Sequence, residues 1–257
     1  MKIQTLRNNQ KSIEVSLIEL LKVFSFYIIL QLLFSVAILI IMQKITIDFT
    51  PKIFALIQMI LLIFLLSGFL FYLIKQPKEN LRALFNQITP SKAFSKELLK
   101  PLIKATIYTI PALACVFIVK ILIGFFLDLP QNTQALTNQL GKIKQYPLFF
   151  ASLGLMIALI PPFIEEILFR GYLQKWFNQR MNKIYALLFT ALIFTGFHFE
   201  SKLGLANIEL LTPLFCVACL LGYLKEKFGS LWAPIGLHSA FNLTNVLLVF
   251  FSVDKLN

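Results

Sequence analysis

The chain has 257 residues, of which 58% are hydrophobic, with mean hydropathy +0.79 and a formal charge of +12 at pH 7. A water-soluble domain of this length would have to expose much of that apolar surface, including a large share of its 27 Phe, whereas lipid accepts apolar side chains without cost. Nor does the charge indicate nucleic acid: Lys and Arg fall mostly between apolar runs, where they meet headgroups, and no Arg-rich stretch interleaves with stacking aromatics.

A helix crosses the hydrocarbon core with roughly 20 apolar residues. Runs of that kind are predicted at about 23–43, 53–74, 105–127, 147–174, 184–203, 207–224 and 232–252. Inside lipid their backbone groups must be satisfied within the segment, so helix is the expected state for each. A basic, polar lead precedes the first run and no small-residue cleavage site follows it, so no signal peptide is expected. Between the second and third runs, Leu81 to Lys104 disperses basic residues among Leu, Phe and Ile, the pattern of an amphipathic helix lying at the interface. Lys120 in the third run is expected to snorkel or to line a cavity. The fourth run carries Pro161-Pro162, a break that could widen the helix there, and ends in the polar stretch Gln174 to Lys183. Glu200 and Glu209 flank outer helix ends and are expected to be solvated, with Glu200 near enough to His198 to touch it. Cys115, Cys216 and Cys219 all lie in apolar segments. That placement favours packing over a disulfide framework, and Cys216-x-x-Cys219 has no basic neighbour to make a thiolate.

The expected fold is therefore an all-α polytopic membrane protein, a bundle of about seven to eight transmembrane helices with an interfacial amphipathic helix. No fixed period and no low-complexity linker divides the chain, so it reads as one integrated bundle. Residues 1–146 supply N-terminal transmembrane helices and the basic interfacial segment, and residues 147–252 hold the polar anomalies. With the N-terminus inside, sixteen Lys and Arg face the cytoplasm and six face the other side. The positive-inside rule thus predicts a multi-pass protein, in the cell membrane, with a cytoplasmic N-terminus. Seven spans would leave the C-terminus outside.

Ionisable residues within spans are costly, and each is a functional-site hypothesis. Here they cluster late in the chain. The fourth run contains Glu165, Glu166 and Arg170, and the only two His, His198 and His238, lie in later apolar runs. Glu166 and Arg170 are four apart, so their side chains can meet and neutralise each other. Glu165 points about 100° round the helix and is left to face a cavity. His238 and Asn242 share a face, and Phe194 can pack beside His198. Measured as helix rise from the nearest basic residues, Glu165 lies roughly 15 Å, His198 roughly 22 Å and His238 at most roughly 16 Å deep, inside the hydrocarbon layer.

A carboxylate and an imidazole in a partly dry pocket can bind and deprotonate a water. A second imidazole and an amide can stabilise the oxyanion formed when that water adds to a carbonyl. Alternatively Glu165, His198 and His238 could hold a divalent metal such as zinc with an open position. The residue types leave both open.

Three spacings carry a resemblance: Glu165-Glu166-Ile-Leu-Phe-Arg170, Phe194-Thr-Gly-Phe-His198 and His238-Ser-Ala-Phe-Asn242. In that order they resemble the CPBP family of intramembrane proteases, which includes the CAAX prenyl-protein endopeptidases and many bacterial Abi-type members. The likeness covers about residues 147–250. It implies an endopeptidase acting on a membrane-associated, prenylated or otherwise anchored substrate. Glu165 would activate water with His198, while His238 and Asn242 would polarise the substrate carbonyl. Glu166, Arg170 and Phe194 would support the site. It implies a glutamate-dependent reaction without cofactor in preference to a metal-dependent one. Membrane lipid and a membrane-anchored peptide are the implied partners, with no nucleic acid; oligomeric state is not legible. The competing expectation is a non-catalytic membrane scaffold, immunity factor or regulator on the same fold. A proton-coupled transporter is a further alternative, but inverted repeats and paired broken helices are not evident.

Overall fold

A computed structural model describes residues 14–44, 50–77, 99–127 and 140–251, and within them the chain is helical with no strand. Helix α1 (Leu17–Lys44) opens on a reciprocal cap, Glu19 N–H donating to Ser16 Oγ at 3.1 Å and Ser16 N–H to Glu19 Oε2 at 2.9 Å. Helix α2 (Pro51–Ile74) starts at Thr50, whose hydroxyl accepts from Ile53 N–H, with Pro51 in the first turn where its missing N–H is harmless. Next come α3 (Leu99–Thr106) and α4 (Thr109–Phe126), separated by a turn. Helix α5 (Pro147–Glu166) continues through a π-helical stretch, Ile167–Leu173, into the short α6 (Gln174–Asn178). Asn182 caps α7 (Lys183–Gly196), and a 3₁₀ stretch, Ser201–Ala206, leads into α8 (Asn207–Phe228). Gly229 ends α8 in the left-handed conformation at φ 60°, before α9 (Trp232–Phe251).

Six segments among the described residues are long and apolar enough to cross a membrane: Leu17–Ala37, Pro51–Ile74, Pro101–Phe126, Pro147–Asn178, Ser201–Phe228 and Trp232–Phe251. Only 11% to 33% of each is buried within the protein, and large apolar residues such as Ile110, Phe125 and Ile184 stand exposed. An apolar mantle of this extent is stable facing lipid and not water. The chain is a polytopic all-α membrane protein.

Several expectations are displaced. The fifth run was expected to span as 184–203, but its helix, α7, has 14 residues, about 21 Å of rise against a core of about 30 Å. The chain turns early because Asn207 ties the following loop shut. Its side chain donates to the Glu200 and Gly204 carbonyls and accepts from Glu200 N–H. The break expected at Pro161-Pro162 is not there. Helix α5 runs through both prolines, and the widened turns come after Glu166, in the π-helical stretch. Glu209, expected to be solvated, keeps 36% of its side-chain exposure and lies 3.7 Å from the half-exposed Lys120 across α8 and α4. Most of the proposed interfacial segment Leu81–Lys104 lies outside the described residues, and only α3 at its end is seen.

Two glycines set close helix approaches. A Cβ on Gly154 would meet Val246 at 2.6 Å, and one on Gly236 would meet the Leu102 carbonyl oxygen at 2.6 Å. The second obstacle is backbone, so α3 and α9 could not both keep their places. Gly236→Ala is therefore expected to lower the thermal midpoint in detergent, at a loss of about 1–3 kcal/mol. Gly124→Ala, with nothing within 4 Å, should leave the midpoint where it is.

Candidate active site

Polar residues recur every four positions along the end of the fourth span: Glu166, Arg170, Gln174 and Asn178. Three of them reach α8 in step. Arg170 Nη2 donates to the Ala218 carbonyl at 2.9 Å, Gln174 Nε2 to the Gly222 carbonyl at 3.2 Å, and Asn178 Nδ2 to Glu226 Oε1 at 2.9 Å. Partners advance by four on both helices, so the two run in the same direction in fixed register. Gly222 permits the approach, since a Cβ there would lie 3.1 Å from Gln174 Oε1 and from Leu187. Glu226 is further tied to Lys225 at 2.9 Å and Lys183 at 3.4 Å. Buried polar groups in an apolar surround need such partners, and the ladder locks the π-helical stretch against α8.

At the head of the ladder stands the ion pair. Arg170 and Glu166 are both fully buried, with Arg170 Nη1 donating to Glu166 Oε1 at 3.0 Å. The same oxygen meets His238 Nδ1 at 2.8 Å. A carboxylate oxygen already accepting from a guanidinium can only accept from the ring as well, so Nδ1 is the donor. The other ring nitrogen, His238 Nε2, lies 3.9 Å from Glu165 Oε2. The two adjacent glutamates thus part ways. Glu166 is sealed, while the Glu165 side chain keeps 18% of its exposure.

The Phe194 ring is the hub of the remaining residues. The Arg170 guanidinium sits 4.6 Å from its centroid, the His198 ring 4.7 Å, the His238 ring 5.9 Å and the Phe169 ring 5.0 Å. His198 lies in the turn after α7 and not within a span, with its backbone N–H bonded to the Thr195 carbonyl. Its Nδ1 lies 2.9 Å from the Phe194 carbonyl, which can only accept, so a neutral ring presents Nε2 as an acceptor. Asn242 is one turn beyond His238 on α9, half-buried, and makes no hydrogen bond to the described residues. The structure thus brings Glu165, Glu166, Arg170 and His238 into one contact set and joins His198 to it through Phe194. The ring beside Glu165 is that of His238.

A cavity of about 690 Å³, almost wholly apolar, is walled by Leu66, Leu102, Leu155, Phe163, Ile235 and Ser239 among others. Phe163 lies on nearly the opposite helix face from Glu165, and Ser239 is turned about 100° from His238, so the cavity takes its wall from the same two helices but from other faces. Among the described residues, no group of three His, Cys, Asp or Glu is assembled as a metal-holding cluster.

Sequence reasoning missed the Ala218 carbonyl, and no sequence signal marks it because every residue carries one. It also missed Gln174 and Asn178, although their spacing from Glu166 and Arg170 was visible.

Residues 147–244 match the model of a family described as type II CAAX prenyl endopeptidase Rce1-like. That match is consistent with the CPBP family and includes Glu165, His198, His238 and Asn242. No curated protein and no solved structure matches the chain.

Removing one partner of a buried pair leaves an unpaired charge. Arg170→Met is expected to cost about 3–5 kcal/mol in unfolding midpoints measured in detergent. The double variant Glu166→Gln with Arg170→Met should lose less than the single one, because no orphaned charge remains.

Proposed function

We propose that this chain is an intramembrane endopeptidase that hydrolyses a peptide bond of a membrane-anchored substrate with water activated by Glu165. The observation that carries this reading is the Glu165 carboxylate, partly open, 3.9 Å from an imidazole whose other nitrogen is fixed by a sealed Glu–Arg pair. A carboxylate left unneutralised inside a membrane bundle has a use. The match to a prenyl-endopeptidase family supports the same reaction class.

In this reading Glu165 takes a proton from water, with the His198 Nε2 lone pair as a second acceptor. The water oxygen bonds to the scissile carbonyl carbon, and its π electrons move onto the carbonyl oxygen. The His238 Nε2 edge and the Asn242 amide are the groups that would donate to that oxyanion. Glu165 then passes its proton to the leaving nitrogen as the C–N bond breaks. Arg170, Glu166 and Phe194 hold the rings in place. We favour chemistry without a metal, since these donors and acceptors suffice; a metal-dependent route would use Glu165, His198 and His238.

The apolar cavity supports a substrate with a lipid chain, and a prenylated C-terminal tail is the form we propose. The cytoplasmic N-terminus and residence in the cell membrane belong to the same proposal.

The test uses purified protein in liposomes and a farnesylated peptide ending in the four-residue tail. Glu165→Gln, His198→Ala and His238→Ala are expected to lower kcat by at least about 100-fold, and Asn242→Ala by about 100- to 1,000-fold. Glu165→Gln, His198→Ala and Asn242→Ala should insert and melt as wild type does, while His238→Ala, which removes a buried donor to Glu166, should insert but melt lower. Chelators should leave the rate unchanged. Comparative proteomics of cells carrying wild type or Glu165→Gln should reveal a new terminus only with wild type. If wild type yields no such terminus and cleaves no peptide, a scaffold or regulator takes its place.

A further inference from the structure

The three cysteines do not share one environment. Cys219 packs against the core cluster that holds Phe169 and Phe194. Cys115 on α4 and Cys216 on α8 are half-buried and take no part in the ladder or in the reaction above.

Their placement follows from how α4 and α8 lie together. At one end, just before α4 begins, Lys227 Nζ donates to Tyr108 Oη at 2.6 Å, and at the other Lys120 Nζ lies 3.7 Å from Glu209 Oε1. Residue numbers rise along α4 as they fall along α8, so the two helices are antiparallel. Between those contacts Ala112, Val217, Leu221 and Leu224 are buried in one cluster, with Val116 and Leu220 packed against it. In proportion between the two contacts, Cys115 falls opposite about residue 216 of α8. Helical phase gives the same pairing independently. Cys115 is seven residues beyond Tyr108 and Cys216 is eleven before Lys227, so each lies about 20° from the direction of its own helix's residue in that contact. Because the helices are antiparallel, both are turned to the same side. The edge that begins at Tyr108 and Lys227 thus continues through the two thiols, whose side chains meet there.

We propose that Cys115 and Cys216 are a redox-active pair, which a lipid-permeable, low-molecular-weight disulfide converts to a disulfide bond between α4 and α8. One thiol gives up its proton, and its sulfur attacks the small disulfide, forming a mixed disulfide and releasing one small thiol. The other cysteine sulfur then attacks the mixed disulfide. The second small thiol leaves with the second proton, and the Cys115–Cys216 bond forms. The two electrons that the cysteines lose reduce the small disulfide to its thiols. Helix α4 precedes residue 147, so the bond joins the segment matched to the endopeptidase family to the half of the chain before it. It closes a loop of about 100 residues and holds α4 to the helix whose Ala218 carbonyl takes Arg170. The inference does not depend on the proposed reaction.

The test uses reduced protein in liposomes, freed of reductant and treated with dipyridyl disulfide, which crosses lipid and releases a coloured thione at each exchange. The protein is then unfolded, its remaining thiols are alkylated, and peptides from the monomer band of a non-reducing gel are read by mass spectrometry. Wild type is expected to yield a peptide pair joined through Cys115 and Cys216, with Cys219 outside the bond. Cys219→Ser should yield the same pair, and neither Cys115→Ser nor Cys216→Ser should yield it. Cross-linked wild type should melt several degrees above the reduced form, and reductant should reverse the shift. A bond between Cys216 and Cys219, mixed disulfides that go no further, or thiols that stay unmodified in the folded protein overturns the pair. An unchanged midpoint in protein shown to be cross-linked overturns the clamp between the helices.

Discussion

One oxygen atom, Glu166 Oε1, holds the late helices together. It accepts from Arg170 Nη1 at 3.0 Å and from His238 Nδ1 at 2.8 Å, while Arg170 reaches on to the Ala218 carbonyl at 2.9 Å. Three segments, the π-helical stretch, α8 and α9, therefore meet at a single buried charge. Taking ions out of water costs several kcal/mol each, and the cost is offset only if every charged group finds partners of good geometry. In lipid no solvent stands by to replace a lost contact. The shared oxygen fixes Nδ1 of His238 as the donor and leaves Nε2 toward Glu165, while Glu166 Oε2 and Arg170 Nε find no partner among the described residues. Because Glu166 absorbs the positive charge of Arg170, its neighbour Glu165 is left without one.

The widened helix matters to the same end. From Glu166 onward the chain must offer side chains to α8 in step while keeping Glu165 on a different face. The ladder of Arg170, Gln174 and Asn178 holds that register over two turns. The shortness of α7 serves the site as well. A helix that continued would carry His198 past the level of the polar set. Stopping at Gly196 places the imidazole in a turn, where the Phe194 carbonyl fixes its Nδ1 and Phe194 itself packs on both imidazoles. A single aromatic ring thus sets the separation of two catalytic candidates without spending a polar group.

How far the sequence exposed this depends on the physical signal. Glu166 and Arg170 were legible because spacing of four on a helix brings charges together, and isolated charges in apolar runs stand out. The helical class was legible from hydropathy alone. The end of α7 was not, because Phe197, Phe199 and Leu203 prolong the apolar run beyond the point where the helix stops; the cause is an Asn207 side chain folding back over seven residues. The prolines misled for the opposite reason. A Pro removes a hydrogen bond locally, but packing decides whether the helix bends there, and Pro162 is buried among neighbours that hold α5 continuous. The link between His238 and Glu166 joins residues 72 positions apart, a distance that no local pattern encodes.

The division of labour between the two halves follows from which residues reach the site. The reacting groups of the proposed endopeptidase all lie within 147–244, the segment shared with the family. The apolar cavity is walled mostly from that same segment, by residues such as Leu155, Leu159, Phe163, Ile235 and Leu243. Leu66, Leu70, Leu102 and Thr106 complete the wall from α2 and α3. Chemistry constrains a donor or acceptor to a fraction of an ångström, so residues that bind water and oxyanion have little freedom to vary. A wall of Leu and Phe discriminates lipid chains only by volume and shape, worth about 1–3 kcal/mol for a methylene group, and tolerates many substitutions. On this fold a lipid chain would therefore be met by both halves of the chain, with α2 and α3 supplying the part of the wall that lies outside the family segment.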